Sequence, residues 1–310
     1  MKIVIIGDFL PRTELLIKGV FPRQWQIAIV PPERVDEEIS DAEVIIPEHE
    51  RIDGPFLDRA PKLKLVQTGA GFDNVAIEEC TKRGIYAANA AGVNATAVAE
   101  HVMAFILCWY KNMILLDGAV RRGEYGIDYI GSELSGKVIG IVGLGNIGRK
   151  VAHFAKAFGM RILGCRLRAI ASGPEIEMTD FRTLLQSSDV ITLHLSLNDQ
   201  TRGLVSRREF EMMKADALLI NTSRGPIIDE DALVEALQSR MIGGAALDVY
   251  QKEPLPEDSP LRTLDNVVLT PHSAGMPDGL KFHRSRYEFF IENIKRVAEG
   301  KPPVSALNKL

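Results

Sequence analysis

A glycine-rich turn between a predicted strand and a predicted helix is the feature that most limits what this chain can fold into. The turn reads GLGNIG, follows the apolar run KVIGIV and opens the stretch RKVAHFAKAFG. Glycines also serve ordinary turns, but this strand–turn–helix context is typical of dinucleotide binding. Gly143 allows the tight turn, Gly145 lets the backbone approach a pyrophosphate, and Gly148 lets the helix pack on the strand. The helix N-terminus then offers N–H groups to the phosphates.

Short β-branched runs alternate with helical patterns on both sides of this turn. Around it we predict six strands: KVIGIVG, MRILGCR, DVITLHL, ALLINTS, GGAALDV and NVVLTPH. The intervening helices are predicted at Arg149–Phe158, Asp180–Gln186, Arg207–Lys214 and Asp229–Arg240. Six strands with such helices make a complete doubly wound nucleotide-binding domain, the Rossmann fold.

The N-terminal third has the same alternation and predicts a second parallel sheet. Its strands are KIVIIGD, AEVIIPE and LKLVQTG, with helices at Gly54–Ala60 and Ala76–Arg83. The 310 residues suffice for about two domains. An amphipathic tail helix, Leu280–Glu299, is expected to return to this first domain, which is small without it. The fold class is therefore α/β, with two doubly wound domains.

One long helix is predicted from about Ala95 to Arg122. Its apolar residues recur at helical spacing, for example Val102, Phe105 and Ile106. The apolar surface is wider than a single core-facing stripe needs. It serves either as core or as a dimer interface.

Charge and cysteine content exclude several classes of protein. The net charge of −4 argues against a dedicated nucleic-acid binder. Three dispersed cysteines favour neither a disulfide framework nor a cysteine zinc site, so we predict no metal. The longest apolar run is less than half a membrane span, and the start does not resemble a signal peptide. We therefore expect a soluble cytoplasmic protein that binds neither membrane nor nucleic acid.

The end of the second Rossmann strand bears on the choice between NAD and NADP. NAD-specific sites place Asp or Glu there, roughly 20 residues after the glycine turn, to bind the ribose hydroxyls. This chain has Arg166 in that position and Arg168 two residues later. An arginine is a bidentate partner for a 2′-phosphate, so the sequence favours NADP over NAD. The alternative is a surface arginine that stacks on adenine.

Three candidate acid–base residues follow strands of the same predicted sheet. Arg224 follows ALLI, Glu253 follows GAALDV, and His272 follows NVVL, so all three are expected at one sheet edge. A guanidinium clamps a carboxylate and polarises the adjacent carbonyl. A histidine donates a proton near neutral pH, and a neighbouring carboxylate orients its ring. Each residue alone has an ordinary structural explanation, but their joint position favours hydride transfer at a carbinol.

The chain resembles the D-2-hydroxyacid dehydrogenases, a family that includes glyoxylate/hydroxypyruvate reductases and phosphoglycerate dehydrogenases. The matching segments cover nearly the whole chain: GAGFDN, NATAVAEH, LSGKVIGIVGLGNIGRKVA, TRGLV, LLINTSRGPIIDEDALVEAL, GAALDVYQKEPLP and NVVLTPHSAG. The resemblance implies a flavodoxin-like substrate-binding domain at 1–95 plus 277–310. It implies an inserted Rossmann domain at 96–276, NAD or NADP as cofactor, and a homodimer.

The resemblance also implies roles for individual residues. Arg224 would bind the substrate carboxylate and 2-oxo group, and His272 would be the general acid/base with Glu253 as its partner. The N–H groups of Ala70 and Gly71 would hold the other side of the carboxylate. The cofactor would contact Thr96, Gly143, Gly145, Asn146, Ile147, Gly148, Arg166, Arg168, Thr222, Asp248, Ser273 and Gly275, with Asp248 accepting from the nicotinamide carboxamide.

Departures from the family pattern reduce the range of substrates expected for this chain. Ala70 stands where phosphite dehydrogenases have Lys, and Glu253 where formate dehydrogenases have Gln, which disfavours both substrates. His49 is an atypical wall residue that either faces the substrate or has no role in binding. The preferred activity is reduction of glyoxylate or hydroxypyruvate to the D-2-hydroxyacid. The alternatives are a nucleotide-sensing binding protein of the corepressor type and a dehydrogenase of a specialised catabolic 2-hydroxyacid.

Overall fold

The computed structural model describes residues 1–48, 50–125, 131–165, 176–276 and 280–310, with side chains in the last range from 283 onward. The chain divides into two compact units. The first is Met1–Asn94 with Met276–Leu310, and the second is Ala95–Gly275. The predicted cofactor arginines, Arg166 and Arg168, and His49 lie outside the described residues.

The first unit has a five-stranded parallel sheet in the order β2-β1-β3-β4-β5, the flavodoxin-like order. The strands are β1 (Lys2–Ile6), β2 (Gln26–Val30), β3 (Val44–Pro47), β4 (Leu65–Gln67) and β5 (Tyr86–Ala88). The helices are α1 (Pro11–Val20), α2 (Gly54–Asp58), α3 (Ile77–Lys82) and, from the C-terminal segment, α10 (Leu280–Ala298). The patterns of β2, β5 and α1 were missed in the sequence analysis.

The C-terminal helix completes the core of the first unit. Helix α10 contributes the buried residues Tyr287, Phe290 and Ile294, which join Ile3 and Ile5 of β1 in one apolar cluster. All five are fully buried. Because α10 covers this face of the sheet, the central strands β1 and β3 are buried on both sides, as is typical of parallel strands.

The second unit has a seven-stranded parallel sheet in the order β12-β11-β10-β9-β6-β7-β8. Its strands are β6 (Val138–Val142), β7 (Arg161–Cys165), β8 (Glu177–Met178), β9 (Val190–Leu193), β10 (Leu218–Asn221), β11 (Gly244–Leu247) and β12 (Val267–Leu269). Its helices are α4 (Ala95–Tyr110), α5 (Met113–Arg121), α6 (Asn146–Ala157), α7 (Phe181–Ser187), α8 (Arg207–Phe210) and α9 (Glu230–Gln238). The strand order reverses between β6 and β9, which is where such sheets bind ligands.

The prediction of one long helix over residues 95–122 is wrong. The helix ends at Tyr110, and α5 starts at Met113 with a bend of 59° between the two. Asn112 lies between them with φ of +51°, a left-handed conformation that Asn tolerates better than most residues. Apolar residues continue through the break in the sequence, but the two helices differ in burial. Helix α4 is largely buried, whereas α5 exposes much of its apolar surface.

Within the described residues, no single helix is long and apolar enough to cross a membrane. Helices α4 and α5 reach the required length and composition only as a bent pair.

Candidate active site

The glycine turn after β6 has no room for side chains at two of its three glycines. A Cβ on Gly143, where φ is +97°, would lie 2.2 Å from the carbonyl oxygen of His194. A Cβ on Gly148 would lie 2.1 Å from the carbonyl oxygen of Gly143. Both contacts are with backbone, which cannot move without disturbing β9 or the turn itself. The glycines are therefore required by the close packing of strand, turn and helix.

The third glycine, Gly145, has open space beside its Cα, as expected where a ligand approaches the backbone. A Cβ on Gly145 would meet no heavy atom within 4 Å. Gly145 is also the N-cap of α6, and no side chain among the described residues caps the helix there. Asn146 is exposed and Ile147 half-buried in the first turn. Uncapped N–H groups at a helix N-terminus suit a pyrophosphate, so the residues present here fit a dinucleotide.

A second sign of a ligand lies directly after β10, a strand of the same sheet. Thr222 is 9% exposed, yet its Oγ1 has no hydrogen-bond partner among the described residues. Buried hydroxyls are nearly always hydrogen-bonded, so a bound group is a natural partner for this one. The predicted cofactor residue Thr96 is exposed in the first turn of α4.

His272 and Glu253, both predicted at one sheet edge, form a hydrogen-bonded pair. The Nδ1 atom of His272 lies 2.6 Å from Oε2 of Glu253. The other carboxylate oxygen of Glu253 accepts from the backbone N–H of Tyr250 at 3.0 Å. Both side chains remain accessible, with exposed fractions of 43% and 35%. The carboxylate therefore fixes the ring through Nδ1 and leaves Nε2 for a ligand.

The turn that carries His272 is in an unusual conformation. His272 has φ of +52°, which costs a non-glycine residue on the order of 1–3 kcal/mol. Its N–H donates to the backbone oxygen of Asp248 at 2.8 Å. The buried carboxylate of Asp248 accepts from the N–H groups of Ser273 and Ala274 at 2.8 and 2.9 Å, and from the hydroxyl of Thr270 at 2.5 Å. These bonds hold the turn in place.

Asp248 therefore has a structural role that the sequence analysis missed, beside its predicted contact with the nicotinamide carboxamide. Its Oδ1 atom accepts two hydrogen bonds and Oδ2 accepts one. A carboxylate oxygen can accept two, so Oδ2 has capacity for a further donor. The two roles are compatible.

Arg224 lies directly after β10, in a loop packed against the segment that carries Glu253. Asn221 fixes this loop: its amide donates to the Arg224 oxygen at 2.9 Å, and its oxygen accepts from Ser223. A Cβ on the next residue, Gly225, would lie 1.9 Å from the backbone of Tyr250. This close approach brings the loops of Arg224 and Glu253 together. The guanidinium is half-buried and donates through Nη1 to the Ser223 oxygen at 2.8 Å.

The predicted substrate residues of the first unit lie in the loop after β4. Asn89 holds this loop by donating to the Ala70 oxygen at 2.9 Å, and Ala90 donates to the Gly69 oxygen at 2.8 Å. Among the described residues, neither Ala70 nor Gly71 has a hydrogen-bond partner for its backbone N–H. Both N–H groups are thus available for an anionic ligand.

A buried ion pair in the first unit was not foreseen from the sequence. Glu48, directly after β3, accepts from Nη2 of Arg286 on α10 and from the hydroxyl of Tyr287 at 3.3 Å. The side chains of Arg286 and Glu48 are 8% and 17% exposed. The two residues are 238 positions apart in the chain, so no spacing signal links them.

Comparisons with known proteins agree with this architecture. Residues 103–274 match the family described as D-isomer specific 2-hydroxyacid dehydrogenase, NAD binding domain. A glyoxylate reductase from Aeropyrum pernix is 40% identical over 272 residues, covering 84% of this chain and 81% of its own.

Two solved structures extend the similarity to both units. An acyclic imino acid reductase in complex with NADPH and D-Arg has a TM-score of 0.88 at 30% identity, covering 99% of this chain and 100% of the other. An NAD-dependent formate dehydrogenase from Staphylococcus aureus in complex with NAD has a TM-score of 0.85 at 28% identity, covering 97% of each chain.

Proposed function

The chain belongs to the D-isomer specific 2-hydroxyacid dehydrogenase family, and from this premise we propose that it reduces a small 2-oxoacid to the D-2-hydroxyacid and catalyses the reverse reaction. The substrate we favour is of the glyoxylate or hydroxypyruvate type. The observation that carries the proposal is the hydrogen-bonded pair of His272 and Glu253 beside the loop of Arg224, at the sheet edge that bears the glycine turn.

In this proposal each residue acts on a defined atom of the substrate. The guanidinium of Arg224 binds the carboxylate and the 2-oxo oxygen, which places positive charge where negative charge develops. His272 gives the proton on Nε2 to that oxygen, and Glu253 stabilises the charged ring and holds Nδ1. The nicotinamide, when bound, supplies the hydride to C2. In the reverse direction His272 takes the hydroxyl proton.

The first unit supplies the remaining substrate contacts in this proposal. The N–H groups of Ala70 and Gly71 bind the second face of the carboxylate. From its position in the sequence we propose that His49, which is outside the described residues, binds the substrate side chain. We accordingly assign substrate binding to residues 1–95 with 277–310 and nucleotide binding to residues 96–276.

We infer a preference for NADP over NAD from Arg166 and Arg168. Both arginines follow β7, which ends at Cys165, and occupy the sequence positions where NAD-specific sites have an acid. Among solved relatives one holds NADPH and another NAD, so the family accommodates either nucleotide. The Arg166→Asp variant should bind NADPH more weakly and NADH more tightly in fluorescence titrations. An unchanged ratio of the two dissociation constants would contradict the assignment.

We further propose a cytoplasmic homodimer that pairs through α5. This helix exposes Met113, Ile114 and Val120 by 55%, 59% and 49%, and several exposed large apolar residues on one short helix are typical of an interaction surface. The three cysteines are free, which suits a reducing compartment. Ile114→Glu should shift the mass measured by light scattering from dimer to monomer.

A single assay tests the main proposal. The protein is mixed with NADPH and glyoxylate, hydroxypyruvate or another 2-oxoacid, and nicotinamide absorbance is followed. Oxidation of NADPH that depends on both enzyme and 2-oxoacid is expected. Each 2-oxoacid is also tested with ammonia, because one structural relative is an imino acid reductase. Nucleotide binding without turnover on any substrate would favour a nucleotide-sensing binding protein instead.

A further inference from the structure

We propose that His101, on helix α4, is a positioning residue for His272, and that it acts through the hydroxyl of Thr270 and the carboxylate of Asp248. His101 is outside every role assigned above. The inference rests on the proposed role of His272 as proton donor, and it concerns how the turn around that residue is held.

The direction of each hydrogen bond follows from counting protons. The Thr270 hydroxyl has one proton, and it lies 2.5 Å from Oδ1 of Asp248, an acceptor. The Nε2 atom of His101 lies 3.1 Å from the same hydroxyl oxygen. Because the hydroxyl proton is given to the carboxylate, His101 must donate its own N–H to Thr270. His101 therefore fixes the direction in which Thr270 donates.

The same imidazole is the nearest basic side chain to Asp248 in the described part of the chain. Its Nε2 atom lies 3.9 Å from Oδ1, and Asp248 is 1% exposed. Asp248 otherwise meets neutral donors: a hydroxyl and two backbone N–H groups. His101 thus adds an N–H donor beside the carboxylate that accepts hydrogen bonds from both sides of the His272 turn.

The turn depends on this anion because its conformation is unfavourable by itself. Thr270 precedes His272 by two residues, and Ser273 and Ala274 follow it. All three donate to the Asp248 carboxylate, so His272 is held at φ of +52° between bonded neighbours. Weakening one of these bonds lets the turn relax towards ordinary backbone angles. The direction of the imidazole would then change.

Helix α4 gives this network a rigid base. The His101 ring packs edge-on against Phe105, with 4.5 Å between ring centroids. Phe105 and Val102 belong to the cluster that includes Val151 of α6, the helix that starts at the glycine turn. The network therefore ties the acid–base turn to the helix that we expect to bind the pyrophosphate. A fixed distance between the two is what hydride and proton transfer to one substrate need.

Two variants of His101 test this proposal, because one removes the hydrogen bond but keeps an aromatic ring and the other keeps a donor without the ring. His101→Phe keeps an aromatic ring against Phe105 but cannot donate, and it should lower kcat about 10-fold. His101→Gln keeps an N–H donor and should retain most of the activity. The 2-oxoacid KM and the nucleotide dissociation constant should change little, because no group that touches either ligand is removed.

A second variant tests the route through the hydroxyl. Thr270→Val should lower kcat as His101→Phe does, and the double variant should be no slower than the slower single variant, since both remove one chain of bonds. Thr192→Val is the matched control. Thr192 is a buried threonine of the same sheet, and its hydroxyl lies 3.0 Å from a histidine nitrogen, of His194, without contact to Asp248. This control should keep the wild-type kcat.

A spectroscopic measurement keeps the inference testable without turnover. In histidine-selective ¹H–¹⁵N spectra, His101 should have its proton on Nε2, and the ring signals of His272 should shift in His101→Phe and Thr270→Val but not in Thr192→Val. Unchanged His272 signals in the first two variants would overturn the inference, as would additive losses of kcat. Absence of any turnover in the wild type would instead count against the proposed function.

Discussion

Two pairs of a carboxylate and a basic side chain, one in each unit, have similar chemistry but opposite surroundings. In the second unit, His272 and Glu253 are 43% and 35% exposed. In the first unit, Arg286 and Glu48 are 8% and 17% exposed. An accessible imidazole can exchange its proton with a ligand, whereas a guanidinium stays protonated and, once buried, can only hold its partner. Exposure and residue type together thus separate a pair suited to reaction from one suited to structure.

The neighbours of each pair strengthen this contrast. Arg286 lies over the rings of Tyr287 and Phe290, 5.3 Å from each centroid, in the apolar cluster under α10. In such a site, removing one charge leaves the other buried without compensation. Around His272, by contrast, the bonds are to backbone and to Asp248, so they fix the turn and leave the ring accessible. Loss of the first pair should therefore affect stability, and loss of the second should affect rate.

The largest expected effect is on rate, in the variant His272→Asn. Asparagine tolerates the left-handed backbone at this position but has no proton that titrates near neutrality. We expect kcat to fall by about 10²- to 10⁴-fold, the usual contribution of general acid–base catalysis. The midpoint of urea unfolding should stay near the wild-type value because the side chain is exposed. Turnover close to wild type would exclude His272 as the proton donor.

The buried pair should show the reverse pattern in Arg286→Met. Leaving Glu48 buried without its cation should lower the free energy of unfolding by about 3–5 kcal/mol. The chain has two tryptophans, and Trp25 packs in the same apolar cluster as Tyr287 and Phe290. Fluorescence of Trp25 in a Trp109→Phe background therefore reports the urea transition of the first unit.

The matched control for this prediction removes both charges. In Arg286→Met/Glu48→Leu, no uncompensated charge remains, and most of the lost stability should return. If the double variant is as unstable as Arg286→Met, the loss comes from packing of the arginine and not from the stranded carboxylate.

A smaller effect is expected from Glu253→Gln, which retains the shape of the exposed pair but removes its charge. Hydrogen bonds to charged groups contribute about 1.5–3 kcal/mol, so kcat should fall by about 10- to 100-fold. Glutamine can also donate to Nδ1 of His272, which favours the wrong tautomer. The Trp25 transition should be unchanged, since Glu253 is in the other unit. A variant with normal kcat would show that His272 needs no partner.

The two pairs also show how far the sequence could predict this protein. The common position of Arg224, Glu253 and His272 could be predicted because the strand ends of one parallel sheet share an edge. The strands themselves are recognisable in the sequence as short β-branched runs. The glycine turn could be recognised equally well, and the structure shows the backbone contacts that require two of its glycines.

Features that depend on contacts between distant segments could not be predicted. Arg286 lies in an amphipathic helix, where an arginine is normally solvated, and only the fold brings it to Glu48. The break at Asn112 was hidden because apolar residues continue on both sides of it. Both residues of the two-residue strand β8 are exposed, so no apolar alternation identifies it. In each case the local structure depends on a tertiary contact, or on the absence of one, that the sequence pattern does not show.

The smallest predicted effect concerns the pH dependence of the first unit. Burial lowers the pKa of His283, the nearby Arg286 charge lowers it further, and Glu48 opposes the shift. The unfolded chain, in which His283 titrates near 6.5, therefore binds more protons than the folded chain below that pH. The free energy of unfolding should be at its full value above pH 6.5 and fall as pH drops towards the folded pKa. One proton limits this slope to about 1.4 kcal/mol per pH unit.

His283→Gln removes this titration, so urea unfolding followed by Trp25 between pH 7 and pH 5 should depend less on pH than in the wild type. The second unit has its own control in His194, whose pKa is also lowered by burial. Unfolding of the second unit is followed by Trp109 fluorescence in a Trp25→Phe background. The pH dependence of its free energy of unfolding should be the same with and without His283→Gln. A Trp25 slope that His283→Gln leaves unchanged would mean that His283 is not the titrating group. The pH dependence of the first unit would then have to come from its carboxylates, because Arg286 stays protonated throughout this range.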